Sequence, residues 1–199
     1  MELKFPINTA ALTFISLLAM SGMTYAAELD GKKVVCKFAE ENGLREKEVF
    51  LSFSGSKVTV LDILIKNKRN SDYNFDYTSV ELSRETKDFY LKPTSIFWGS
   101  FSSMNDIMSK PVTSREDIGV YLYLNKRSVG SWTYIDRNTL LAEDGVAISS
   151  QALTHSGKCE ISDEAGEKAF TDKYQALKLE ATKDYDAKLG NAKSQAPKL

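Results

Sequence analysis

From Lys33 to Ile161 the dominant spacing of apolar positions is two. KEVFLSF puts Val49, Leu51 and Phe53 on one face, and YNFDYTSVEL puts Tyr73, Phe75 and Tyr77 opposite Asn74, Asp76 and Thr78. KVTVLDILI alternates less cleanly, as a strand covered on both faces would. IGVYLYL sets Ile118, Val120, Leu122 and Leu124 against Tyr121 and Tyr123, and SWTYID alternates Trp132 and Tyr134 with Thr133 and Ile135. These β-branched and aromatic runs are separated by turn-forming clusters, ENG, SGS, NKRNSD, KRSVG, DRN and EDG. With KVVCKF, DFYL, SIFWGSF and GKCEI, about nine strands are predicted.

The candidates follow one another too closely for parallel crossovers, so the expected sheet is an antiparallel meander. A row this long leaves vulnerable edges unless it curls. The predicted fold is therefore mainly β: a small closed or nearly closed barrel, or else a curved sandwich, over residues 27–161.

The pattern changes after HSGKCEISDEAG, His155 to Gly166. Ser162 is a suitable N-cap, and Phe170, Tyr174, Leu177, Ala181 and Tyr185 recur at helical spacing. An amphipathic helix is predicted over 162–190, ended by Gly190 and Asn191, with a flexible tail over 191–199. One stretch inside the sheet, FSSMNDIMSKPVTSRED, has no alternation. There Ser103 could cap a short helix carrying Met104, Ile107 and Met108 on one face, acting as a barrel plug or as a mobile contact loop.

The opening residues read as a secretory leader. Lys4 precedes an apolar run from Ala10 to Met20, and Thr24 and Ala26 offer small residues at a cleavage point. That run is shorter than the ~20 residues of a membrane span. A signal peptide over 1–26, with no integral span in the mature chain, implies a periplasmic or secreted protein. Cys36 and Cys159 are the only cysteines. In an oxidising compartment they are expected to form one disulfide, tying the first strand to the last.

Charge excludes some partners. Lys and Arg total 26 against 27 Asp and Glu, and no basic cluster is available for nucleic acid. A single histidine, His155, and the absence of CxxC or HxxxH spacing leave no metal site, and no cofactor motif occurs. Catalytic chemistry is equally thin. His155 lies in an apparent polar loop with no acid placed behind it. SGSK at Ser54–Lys57 matches S-x-x-K but falls in a turn, and Glu40–Glu41, Glu46–Glu48 and Glu143–Asp144 also fall in predicted turns.

What remains is apolar and aromatic surface. Tyr73, Phe75, Tyr77, Trp98, Tyr121, Tyr123 and Trp132, with Met104, Ile107 and Met108, are the candidate binding residues. The sequence is thus read as a non-enzymatic binding protein of the bacterial envelope or secreted fraction that recognises another protein. A carrier with an apolar cavity for a small ligand is the second reading, and an envelope hydrolase the third.

Overall fold

The structure, a computed structural model, describes residues 28–103, 111–125, 128–149 and 151–195. The predicted leader and the candidates Met104, Ile107 and Met108 lie outside the described residues. Nine strands form one antiparallel sheet: β1 (Lys33–Phe38), β2 (Lys47–Ser54), β3 (Lys57–Asn70), β4 (Phe75–Asp88), β5 (Tyr90–Lys92), β6 (Ser95–Ser103), β7 (Ser128–Asp136), β8 (Leu141–Ser149) and β9 (Gln151–Ser162). Helix α1 (Arg115–Leu124) lies between β6 and β7, and α2 (Glu164–Gln195) follows β9. No helix among the described residues is long and apolar enough to cross a membrane.

The strand order β4-β3-β2-β1-β9-β8-β7-β6-β5 makes two meanders joined at their middle. The first and last strands are neighbours, as expected, with Cys36 opposite Cys159 and a disulfide between them. That bond sits at the centre of the sheet, because the free edges belong to β4 and β5. Phe89 alone separates those two edge strands in sequence. The chain therefore bridges the seam at one end, and the sheet is a half-barrel there drawn nearly closed.

Alternation sorts side chains onto two faces. Val34, Cys36, Phe38, Val49, Leu51, Phe53, Val58, Ile96, Trp98, Ile135, Ala142 and Cys159, drawn from seven strands, meet inside with Phe89 as one core. Phe53 and Phe89 pack edge to face where the chain crosses the seam.

The outer face is covered in two places. Over β6–β8, Phe97, Trp132 and Ala147 pack against Ile118, Tyr121 and Leu122 of α1. Two glycines make this possible. A Cβ on Gly145 would lie 2.3 Å from the Trp132 ring, and one on Gly130 would lie 2.4 Å from Phe101. Only glycine lets these rings lie flat on the sheet, stacked on one another.

The segment IGVYLYL is thus helix, not strand. Asp117 accepts hydrogen bonds from the Thr113 N–H and from the Thr113 and Ser114 hydroxyls, fixing the first turn. Arg115 pairs with Glu143 on β8. Buried Ile118, Tyr121 and Leu122 are spaced three and one, whereas Val120 and Leu124, expected on the same side as Ile118, are exposed. Both spacings place Ile118 and Leu122 together, and packing of Ile118, Tyr121 and Leu122 on Phe97, Trp132 and Ala147 favours the helix.

The second cover is α2, whose apolar stripe docks on the sheet, one of three arrangements the spacing leaves open beside pairing with another copy and standing partly free. Phe170 is buried on Phe50 and Leu61, and Tyr185 packs on Phe75 and Tyr77 while its hydroxyl accepts from Asn70. The N-cap is one residue later than expected. Ser162 ends β9, and the Asp163 carboxylate accepts from the Gly166 N–H. The helix also runs through Gly190 and Asn191 to Gln195. Neither residue is in the left-handed conformation that ends a helix, and Lys188 instead bonds the Asp76 carbonyl.

Candidate binding hollow

The inner face changes character along its length. Toward Phe89 it is apolar core; at the other end Lys47 of β2, Asp62 of β3, Thr133 of β7, Asp144 of β8 and His155 of β9 converge. Lys47 Nζ lies 3.2 Å from Asp144 and 3.5 Å from Asp62. Asp144 also accepts from Thr133 Oγ1 at 2.8 Å and faces His155 Nε2 at 3.2 Å. His155 Nδ1 lies 3.1 Å from the Ala39 carbonyl, and its ring stacks on Phe38. Both ring nitrogens therefore face oxygen atoms.

His155 was expected in a solvated loop with no acid behind it, and this is corrected on both counts. It is 3% exposed, within β9, and directly opposite Asp144 in the ladder. Likewise Glu143–Asp144 was read as a turn but lies inside β8. The signal was hidden because LAEDGVAIS lacks bulky alternation. Its Gly145 is there to receive Trp132, which only the folded sheet brings over it.

The two carboxylates flanking Lys47 are not equivalent. Burial pushes the Asp144 carboxyl up, but His155, Lys47 and Thr133 outweigh it and hold it below its ordinary value. Burial also pushes Asp62 up. Lys47 offsets this only in part while Asp144 and Glu85 add repulsion, so Asp62 stays above its ordinary value. Burial opposes the Lys47 charge, yet Asp144 and Asp62 hold the ammonium above its usual value.

Two connected lobes surround this cluster. One, of about 170 Å³, reaches toward Ser83, Glu85 and Lys87 of β4 and Trp98 of β6. The other, of about 600 Å³, opens past Leu44, Leu64 and Val146 toward Lys173 and Leu177 of α2. Around the mouth, Val129 of β7, Ile148 of β8 and Leu153 of β9 stand 60%, 62% and 39% exposed on the same face. Lys47, Asp62 and Asp144, all with perturbed pKa values, thus converge in a hollow lined by both charged and apolar side chains, the kind of place where binding sites form.

The predicted aromatic candidates are mostly spent on packing. Trp98 and Trp132 are buried in separate clusters, Tyr121 is buried between α1 and the sheet, and Phe75 and Tyr77 hold α2. Tyr73 and Tyr123 are exposed but far apart in the fold, on the β3–β4 turn and on α1. The structure does not bring the aromatics into one surface. Sequence reasoning missed Lys47, Asp62, Asp144 and His155 as a group, because their strands are remote in sequence. Ser54–Lys57 is the turn between β2 and β3, as expected, with the Gly55 N–H donating to Asp30.

In comparisons with known proteins, no family model, no curated protein and no solved structure matches the chain.

Proposed function

We propose that the protein is an exported, non-enzymatic binding protein of the bacterial envelope or secreted fraction, recognising another protein through the open mouth of the half-barrel. The leader-like opening residues and the disulfide support an oxidising compartment outside the cytoplasm. The observation that carries the recognition is the exposed row of Val129, Ile148 and Leu153. It continues the face that is sealed core deeper in, and it rims a polar floor, which is how protein-recognition patches are built.

A photo-crosslinking residue at Ile148, in the chain expressed in its own host, should trap one partner that a crosslinker at Leu179 on α2 does not. The purified partner should bind the wild type and lose binding to Ile148→Asp. Equal trapping from both positions, or none under several growth conditions, refutes the assignment.

The small-ligand reading keeps one observation in its favour. At the Phe89 end lies a hollow of about 520 Å³, lined by Val34, Phe53, Ile96 and Ile135 together with Lys32, Lys33 and Arg137. Native mass spectrometry of protein from its own host would show a co-purified apolar molecule if that reading holds, and the bare chain mass otherwise. A hydrolase draws no comparable support, since both His155 nitrogens are engaged and the Thr133 hydroxyl donates to Asp144.

A further inference from the structure

The hollow opens sideways through a notch in the sheet. β3 has 14 residues, but its pairing with β2 stops at Asp62. β1 ends at Phe38, whereas β9 continues past it from Gly157 back to Gln151. Among the described residues, Ile63–Asn70 is therefore paired on one side only, to β4. In an antiparallel strand the backbone groups point alternately to the two sides, so about half of those in this segment face the notch.

We propose that this free edge of β3 takes up an extended segment of a partner polypeptide as an added strand, with a Lys or Arg of that segment reaching Asp62. This rests on the protein-recognition reading above and names the form of the ligand. A strand added about 4.8 Å from β3 would alternate its side chains between the two sides of the sheet. One side meets the hollow, with Leu44, Leu64 and Val146. The other meets Ile63, the 49%-exposed Ile65, and Leu177 of α2.

Charge selects the basic residue. Lys173 pairs with Glu48, Lys87 with Glu85 at 2.9 Å, and Lys47 hydrogen-bonds Asp144. Asp144 gathers three side-chain partners, while Asp62 faces Lys47 at 3.5 Å. Asp62, on the strand that carries the free edge, thus has one partner where Asp144 has three, and a guanidinium or ammonium beside it would complete its shell. A second copy is a poorer occupant. Its own edge carries Lys66, Lys68 and Arg69, and edge-to-edge pairing would bring these cations together.

The test pans a phage-displayed library of linear heptapeptides on the full exported chain, then synthesises the enriched peptides. Enriched sequences should alternate apolar residues around one Lys or Arg. On binding, alternate amides within Ile63–Lys68 should gain protection from hydrogen exchange. Asp62→Asn should weaken the basic peptide at least tenfold and leave its norleucine-substituted analogue unaffected; the variant's amide spectrum checks that the fold is kept. Absence of enrichment, enrichment without basic residues, or protection elsewhere overturns the inference. If the Ile148 crosslink to a folded partner persists while Ile63–Lys68 stays unprotected, the added strand is wrong and the recognition reading stands.

Discussion

Replacing Lys47 by Met removes the ammonium between two half-buried carboxylates while keeping most of the side-chain volume. At an effective dielectric of ~20, contacts at 3.2 and 3.5 Å are each worth about 5 kcal/mol before desolvation is counted. Desolvation of the three groups offsets much of this, and breaking such a cluster by removing one partner costs about 3–5 kcal/mol. With a urea m-value of roughly 2 kcal/mol/M, the midpoint of Lys47→Met should fall by roughly 2 M at pH 7.

The pH dependence has a definite sign. Asp144, held below its ordinary value, contributes stability that is present above its unfolded pKa and lost as pH falls through the folded one. Asp62, held above its ordinary value, contributes the opposite, favouring the fold below its unfolded pKa and costing it as pH rises through the folded one. Without Lys47 the Asp62 shift grows, so the variant's deficit should shrink on acidification from pH 7 to about 4.5. Adding Asp62→Asn should recover part of the loss at pH 7. A deficit below about 1 kcal/mol at pH 7, or one that does not change with pH, would refute this account of the floor.

Three further outcomes follow from the packing. Replacing Cys36 and Cys159 by Ser opens a loop closed over 123 residues, and the chain-entropy relation gives a loss of about 5 kcal/mol, read as a lowered denaturation midpoint; alkylation of the unreduced wild type should be negligible, since both sulfurs are held in the bond. Gly145→Ala should displace the Trp132 ring and loosen α1, costing about 1–3 kcal/mol and shifting the near-ultraviolet circular dichroism, whereas Gly119→Ala, where an added Cβ meets nothing, should do neither. Phe170→Ala should cost about 3–5 kcal/mol if the buried ring anchors α2, and hydrogen exchange should quicken along the helix while the β1–β9 ladder stays protected.

Much of this architecture was legible in the chain because strands and amphipathic helices announce themselves locally. Period two marked β1, β2, β3, β4, β6 and β7, and the four-three-four-four stripe of α2 named the residues that touch the sheet. Two cysteines in an exported-looking chain implied the bond that sets β1 against β9. Three things escaped. α1 reads as a strand because valine, leucine and tyrosine suit either element, and its packing over β6–β8 outweighs the alternation. β8 was unreadable because Gly145 and Ala147 are small in order to accept Trp132 and α1. His155 was taken for a loop residue because its partner lies across a ladder that sequence cannot register.

The sequence alone thus determined the class of fold, the disulfide and the docking face of the last helix, since each depends on spacing within one segment. Tertiary structure decided where the edges lie, how the interior divides into an apolar end and a charged end, and where the hollow opens. These follow from unequal strand lengths and cross-strand register, so that Lys47, Asp62, Asp144 and His155 become neighbours only when remote segments pair.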